Sequence, residues 1–124
     1  MRKQYHSRQT KRGRLIWDVD RLVELSKDLP CIEVSLDSFL ELDESYWFEG
    51  KPAPTVRDIV VHVKLVHECD LSYPIILSSD GRVMDGMHRI VKALSLGHDY
   101  IDAVKFETDP EPDHIDVSLD DLPY

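Results

Sequence analysis

Apolar residues recur with two periods along this chain, and each period marks an element. Pro74 to Ser78 is a continuous apolar run, which predicts a buried strand; Asp80 and Gly81 predict a two-residue hairpin turn, and Arg82 to Met84 the returning strand. The period then lengthens. Met87, Ile90, Val91 and Leu94 fall at i, i+3, i+4 and i+7, one buried helical stripe, with Asp85 and Gly86 where an N-cap belongs and Gly97 as the stop. Ile101 to Phe106 predicts a further strand. Upstream, Ile32, Val34 and Leu36 alternate with Glu33, Ser35 and Asp37, the period of a half-buried strand running to Phe39. Helical spacing returns from Trp17 to Leu29, where Leu15, Val19, Leu22, Val23, Ser26 and Leu29 lie near one face until Pro30 stops it. Thr55 to Asp58 reads as a capping box opening a helix to about Cys69, whose Val56, Ile59, Val60, Val63 and Val66 suit burial. The expected fold is α+β: a small mixed sheet with helices at about 17–28, 55–69 and 87–96 packed on it.

The length of 124 residues fits one domain, and 42% apolar with 31% charged residues is an ordinary globular balance. No apolar run approaches the length of a membrane span. The N-terminus is basic without an apolar core region, so no secretory signal is expected and the cytoplasm is the expected compartment. Cys31 and Cys69 have neither metal nor redox spacing and read as reduced core thiols. The net charge of −9 conceals an asymmetry. Arg2, Lys3, Arg8, Lys11, Arg12 and Arg14 stand in 1–14 without an acid, and seven acids stand in 107–124. The expectation is a basic arm (1–14), a folded domain (15–106) and an acidic tail (107–124). Such an acidic body repels nucleic-acid backbone except at a local basic pocket, so specific duplex DNA binding is not expected.

The helix opened by Gly86 carries the clearest chemistry. A glycine there permits close backbone approach, and the first-turn N–H groups sit at the positive end of the helix dipole. His88, Arg89 and Lys92 share the arc opposite the apolar stripe, so a phosphate seat is expected from Asp85, Gly86, Met87, His88 and Arg89, with Arg89 pairing through its fork. Asp85 can cap the helix or, with a nucleotide present, help hold magnesium. His62 and His67 are five residues apart, about 140° around a helix, which does not suit a shared metal. The segment LELDESYWFEGKPAP is long for a plain connection and carries Asp43, Glu44, Tyr46 and Trp47.

The run from Pro74 to Phe106, with DGMHR at Asp85 to Arg89, resembles the ParB/sulfiredoxin-like fold family. The resemblance implies a nucleotide-binding core of strand, DG turn, helix start and further strand, and a nucleoside triphosphate or diphosphate as ligand. DGMHR is nearest to the DGHHR of nucleotide-dependent serine kinases, with one histidine fewer. In those kinases an acidic residue follows the first strand, which implies Glu44 or Asp43 as general base for a substrate hydroxyl. Sulfiredoxins place a working cysteine where this chain has Met87, so sulfinic acid reduction is excluded. ParB partition proteins have a GERR-type motif and downstream DNA-binding and dimerisation regions, so centromere binding is not expected. The resulting expectation is a nucleotide- or phosphate-binding protein, as a small phosphotransferase or nucleotidase. The alternatives are a non-enzymatic regulatory or interaction module that keeps the fold and, more distantly, a ParB-like nuclease.

Overall fold

A computed structural model describes residues 3–124 and contains two small sheets and three helices. Strands β1 (Tyr5–Thr10) and β2 (Gly13–Asp18) form a hairpin, followed by α1 (Val19–Ser26) and β3 (Ile32–Ser35). Two 3-10 turns, Leu36–Ser38 and Leu40–Asp43, lead into a long loop and then α2 (Val56–Glu68). After β4 (Ile75–Leu77), β5 (Val83–Asp85), α3 (Met87–Ser95) and β6 (Tyr100–Lys105), the short β7 (His114–Ile115) returns to β2.

The larger sheet has the order β3-β6-β4-β5 and is mixed: β6 runs antiparallel to β3 and parallel to β4, and β4 runs antiparallel to β5. Its α+β architecture is the expected one. Both faces of β4 are buried, which explains its unbroken apolar run. Ile75 and Leu77 join Val83, Met87, Ile90, Ile101, Leu36 and Phe39 on one side, under α3 and the 3-10 turns. Ile76 joins Met84, Val104 and Phe106 on the other, against Leu15 and Trp17 of the hairpin and Leu22 of α1. The turn between β4 and β5 is wider than the two residues expected: Leu77 pairs with Val83, and Ser78 N–H donates to Arg82 C=O at 2.8 Å. The Asp80 carboxylate accounts for the widening, since it accepts from Arg82 N–H and Ser78 Oγ and so holds Ser78 to Arg82 as one loop.

The two chain ends meet in the structure. The arm expected over 1–14 is, from Tyr5 onward, a strand and the start of another. Tyr5 to Thr10 has no apolar face of its own; it is ordered by pairing with β2, where Leu15, Ile16 and Trp17 are all buried. Gly13 makes the corner at φ 110°, close under the Asp116 carboxylate, which accepts from Arg14 N–H. Arg2 lies outside the described residues. The expected acidic tail likewise packs: β7 pairs with β2, Trp17 Nε1 donates to Pro110 C=O at 2.8 Å, and Leu122 is buried. The third sheet position is thus filled by the tail, with Arg12–Glu111 and Arg21–Asp113 pairs at its rim. Trp17 is a strand residue, and α1 starts two residues later because Asp18 caps it, accepting from Asp20 N–H.

The α2 helix opens with the expected reciprocal capping box of Thr55 and Asp58. Its apolar face is not buried. Val56, Val60 and Val63 are 81%, 59% and 49% exposed, and the half-buried positions are His62, Leu65 and Val66. The sheet face is already covered by α3 and the 3-10 turns, so α2 packs mainly on α3, with Trp47 and Phe48 against its His62. Cys31 is exposed and Cys69 half-buried; neither is a core thiol, although both are free. Among the described residues no helix is long and apolar enough to cross a membrane.

Candidate functional site

The DGMHR segment is built as its glycine requires. Gly86 is the N-cap of α3 at φ 114°, and a Cβ there would stand 2.5 Å from Ile75 Cγ2, so only glycine lets the helix start this close to β4. It offers no side chain to cap the first turn. The flanking side chains are engaged within the protein. Arg89 Nη1 donates to Tyr73 C=O and Pro74 C=O, both at 3.0 Å, and Nη2 to Asp85 Oδ2 at 2.8 Å. Asp85 therefore holds Arg89 and does not cap the helix. Met87 is buried in the core. Lys92 Nζ reaches Cys69 C=O at 2.7 Å and His67 C=O at 3.1 Å, satisfying carbonyls at the end of α2. As a magnesium ligand Asp85 offers one carboxylate that a guanidinium already occupies, and no group of three His, Cys, Asp or Glu among the described residues could share an ion. The residues present do not fit a metal there.

His88 joins a different cluster. Its Nε2 lies 2.8 Å from His62 Nδ1, and the Trp47 indole stacks over both rings, 4.1 Å from His62 and 4.6 Å from His88. Tyr46 and Trp47 also pack against the core. Their segment thus serves as structure and, through Trp47, connects α3 to a cleft beside β1.

That cleft, of about 350 Å³, runs between β1 and the segment from Glu41 to Glu49, a volume within the range of small-molecule sites. β1 is an edge strand, with alternate backbone groups left open along it. Three arginines from three strands or turns line the cleft: Arg8, Arg14 and Arg82. Arg8 pairs with Asp80 at 3.3 Å and donates to Ser78 Oγ. Arg82 grips Glu44 with two bonds, at 2.6 and 3.1 Å, and its Nε lies 3.8 Å from the buried Glu41. Glu41 in turn accepts from Val83 N–H, which is why an acid can be buried there. Arg14 differs from the other two. Its guanidinium donates only to Ser7 Oγ, at 3.1 Å, and has no carboxylate partner among the described residues.

Electrostatics separates the groups further. The Arg82 fork holds the Glu44 carboxyl below its usual range, and Glu44 raises Arg82 in return. Burial pushes the Tyr46 phenol up to about 12 and the His6 imidazole down to about 4. His6 lines the cleft, stacks on Trp17, and its Nε2 is enclosed without a hydrogen-bond partner. A neutral imidazole with an unsatisfied ring nitrogen is a donor or acceptor in waiting.

Of the residues expected to form a site, Glu44 alone lines this cleft; Asp43 ends a 3-10 turn nearby in sequence, and Asp85 to Arg89 stand together at α3. Arg8, Arg14, Arg82 and His6 were missed as a site. The signal available was the apolar Leu15–Trp17 run beside a glycine corner, which marks a strand and therefore a partner strand carrying His6 and Arg8. Compared with family models, with curated proteins and with solved structures, the chain matches none of them.

Proposed function

We propose that this protein binds a phosphate-bearing small molecule, in its fullest form a nucleoside diphosphate or triphosphate, in the cleft between β1 and the Glu41–Glu49 segment. The observation that carries the reading is the convergence of Arg8, Arg14 and Arg82 on one concave surface, with Arg14 lacking any anionic partner among the described residues. A guanidinium fork is the side chain best matched to phosphate oxygens. Trp47 supplies an aromatic wall for a base, and Glu49 an acceptor for hydroxyl or amino groups. The ParB/sulfiredoxin-like resemblance supports a nucleotide, through the strand, loop, strand and glycine-opened helix of residues 74–95. It would place the phosphates at α3 instead. Arg89 and Asp85 are committed to each other there, which favours the cleft.

The reading is of binding first. A general base works best with a pKa near the working pH, and Glu44, held ionised by Arg82, is a weak one. Phosphotransfer would require the ligand to take Arg82 away from Glu44. A thermal-shift panel of ATP, ADP, CTP, GTP and pyrophosphate, each with and without magnesium, tests the proposal. A ligand at 100 times its Kd stabilises the native state by about 2.7 kcal/mol, and Arg14→Ala should abolish most of that shift. No shift with any member of the panel, or a shift that Arg14→Ala leaves intact, would reject the cleft.

A further inference from the structure

Three elements meet in one aromatic cluster beside the cleft: His62 of α2, His88 of α3 and Trp47 of the loop that leads to α2. His62 Nδ1 and His88 Nε2 are 2.8 Å apart, so one of the two nitrogens carries a proton and the other accepts the bond. That contact is shorter than the spacing of stacked rings, and the two imidazoles are tilted by only 19° with centroids 5.1 Å apart. They therefore lie side by side as one flat, hydrogen-bonded plate. The Trp47 indole lies nearly parallel to both, at 19° to His62 and 17° to His88. Imidazoles on opposite faces of an indole would stand farther apart than these do, so the plate covers a single face. Among the described residues no other ring lies parallel to the indole, since Tyr46 meets it at 73°.

We infer that the His62–His88 pair positions Trp47 as a stacking platform, so that the cleft selects a phosphate ester carrying a flat ring, a nucleoside diphosphate over pyrophosphate, a role that rests on the phosphate-binding reading of the cleft. Trp47 stands in a loop without helix or strand, and its ring is oriented by packing on the core and by the imidazole plate. The plate itself is fixed by the fold, because its two halves come from helices that pack on each other. It also fills the indole face toward α2 and α3, so a base cannot insert there and stacks from the cleft that Trp47 lines together with Arg8, Arg14 and Arg82. Stacking on an aromatic side chain gains about fivefold to a hundredfold in affinity per base. Much of that gain is lost when the ring must be ordered at the moment of binding, and the two histidines order it beforehand. The arginines do not distinguish a nucleotide from a bare diphosphate; the platform does.

Calorimetric titration of the full chain with ADP and with pyrophosphate, which share the diphosphate and differ by the nucleoside, tests the role. The wild type should bind ADP the more tightly. Trp47→Ala should weaken ADP about fivefold or more while leaving pyrophosphate within about twofold, and Trp47→Phe should recover part of the loss. His62→Ala and His88→Ala, on different helices, should each weaken ADP about threefold or more with pyrophosphate again within about twofold and far-ultraviolet circular dichroism unchanged. Equal losses for both ligands would make the histidines supports of the fold only. ADP affinity unchanged in both histidine variants would mean that they do not position Trp47. Either result overturns the inference and leaves the arginine cleft standing, as does a wild type that binds pyrophosphate through Arg14 and ADP no more tightly. A wild type that binds neither ligand removes the cleft reading and the platform with it.

Discussion

Replacing Arg89 by alanine distinguishes an arginine that waits for a ligand from one that holds the fold. Its side chain is 14% exposed and ties three acceptors: the Asp85 carboxylate within the same turn, and Tyr73 C=O and Pro74 C=O at the entry to β4. A hydrogen bond to a charged group contributes about 1.5–3 kcal/mol, and the two further bonds raise the loss while water entering the partly exposed site offsets some of it, leaving about 3 kcal/mol. For a chain of this size each kcal/mol moves Tm by roughly 3–6 °C, so Arg89→Ala should lower Tm by about 10–15 °C. Arg89→Lys should recover about half of the loss or less, because one ammonium cannot present the planar fork that reaches Asp85 and two carbonyls together. Differential scanning calorimetry of the three proteins without ligand decides it. An Arg89→Ala protein within about 2 °C of wild type would show that water replaces these bonds, and would return Arg89 to the ligand-binding role read from the sequence.

Gly86→Ala should cost more than about 2 kcal/mol in urea unfolding, because the left-handed backbone and the contact with Ile75 both penalise a Cβ; an unchanged midpoint would mean that the helix start is not locked. Glu41→Ala leaves Val83 N–H buried without its acceptor and should cost about 2 kcal/mol, with Glu41→Gln recovering part of it; equal stabilities of the two variants would contradict that bond. Burial pushes the His6 imidazole down to about 4 in the folded protein against an ordinary 6.5, so between these pH values the unfolded chain binds more protons and stability rises with pH. The contribution, at most about 3 kcal/mol, is lost as pH falls through that window, and His6→Phe should flatten the slope of chemical-denaturation free energy there; an unchanged slope would assign it to other groups.

Much of the larger sheet was legible because its signals are local. The apolar run at Ile75–Leu77 and the stripe of Met87, Ile90 and Leu94 each belong to one element whose period is visible without neighbours, whereas the strand expected over Ile32 to Phe39 stops at Ser35, where the chain turns into the 3-10 helix Leu36–Ser38, and leaves Ile32 exposed. The smaller sheet was not, because Tyr5 to Thr10 carries no apolar face and becomes a strand only through β2, while two residues of the tail complete the sheet from about 100 positions away. The same gap hid the cleft. Arg8 and Arg14 stand on one hairpin, but Arg82 is about 70 positions further on and joins them only when the hairpin lies against the β4–β5 loop. The DGMHR motif shows the converse difficulty: residue types suited to phosphate can equally satisfy one another, and Asp85 and Arg89 do so here. For α2 the valine spacing announced an amphipathic helix correctly, but spacing cannot say whether the chain itself supplies the surface that covers it.

The proposal of an anion site along β1 is tested most directly by titrating pyrophosphate into the ¹⁵N-labelled protein and mapping amide shifts. Saturable shifts should concentrate at His6 to Gln9, Arg14, Glu41 to Glu49 and Arg82, with the Arg14 side-chain signal among them. Shifts confined to Met87–Arg89, or none at millimolar pyrophosphate, would contradict the cleft as the ligand site.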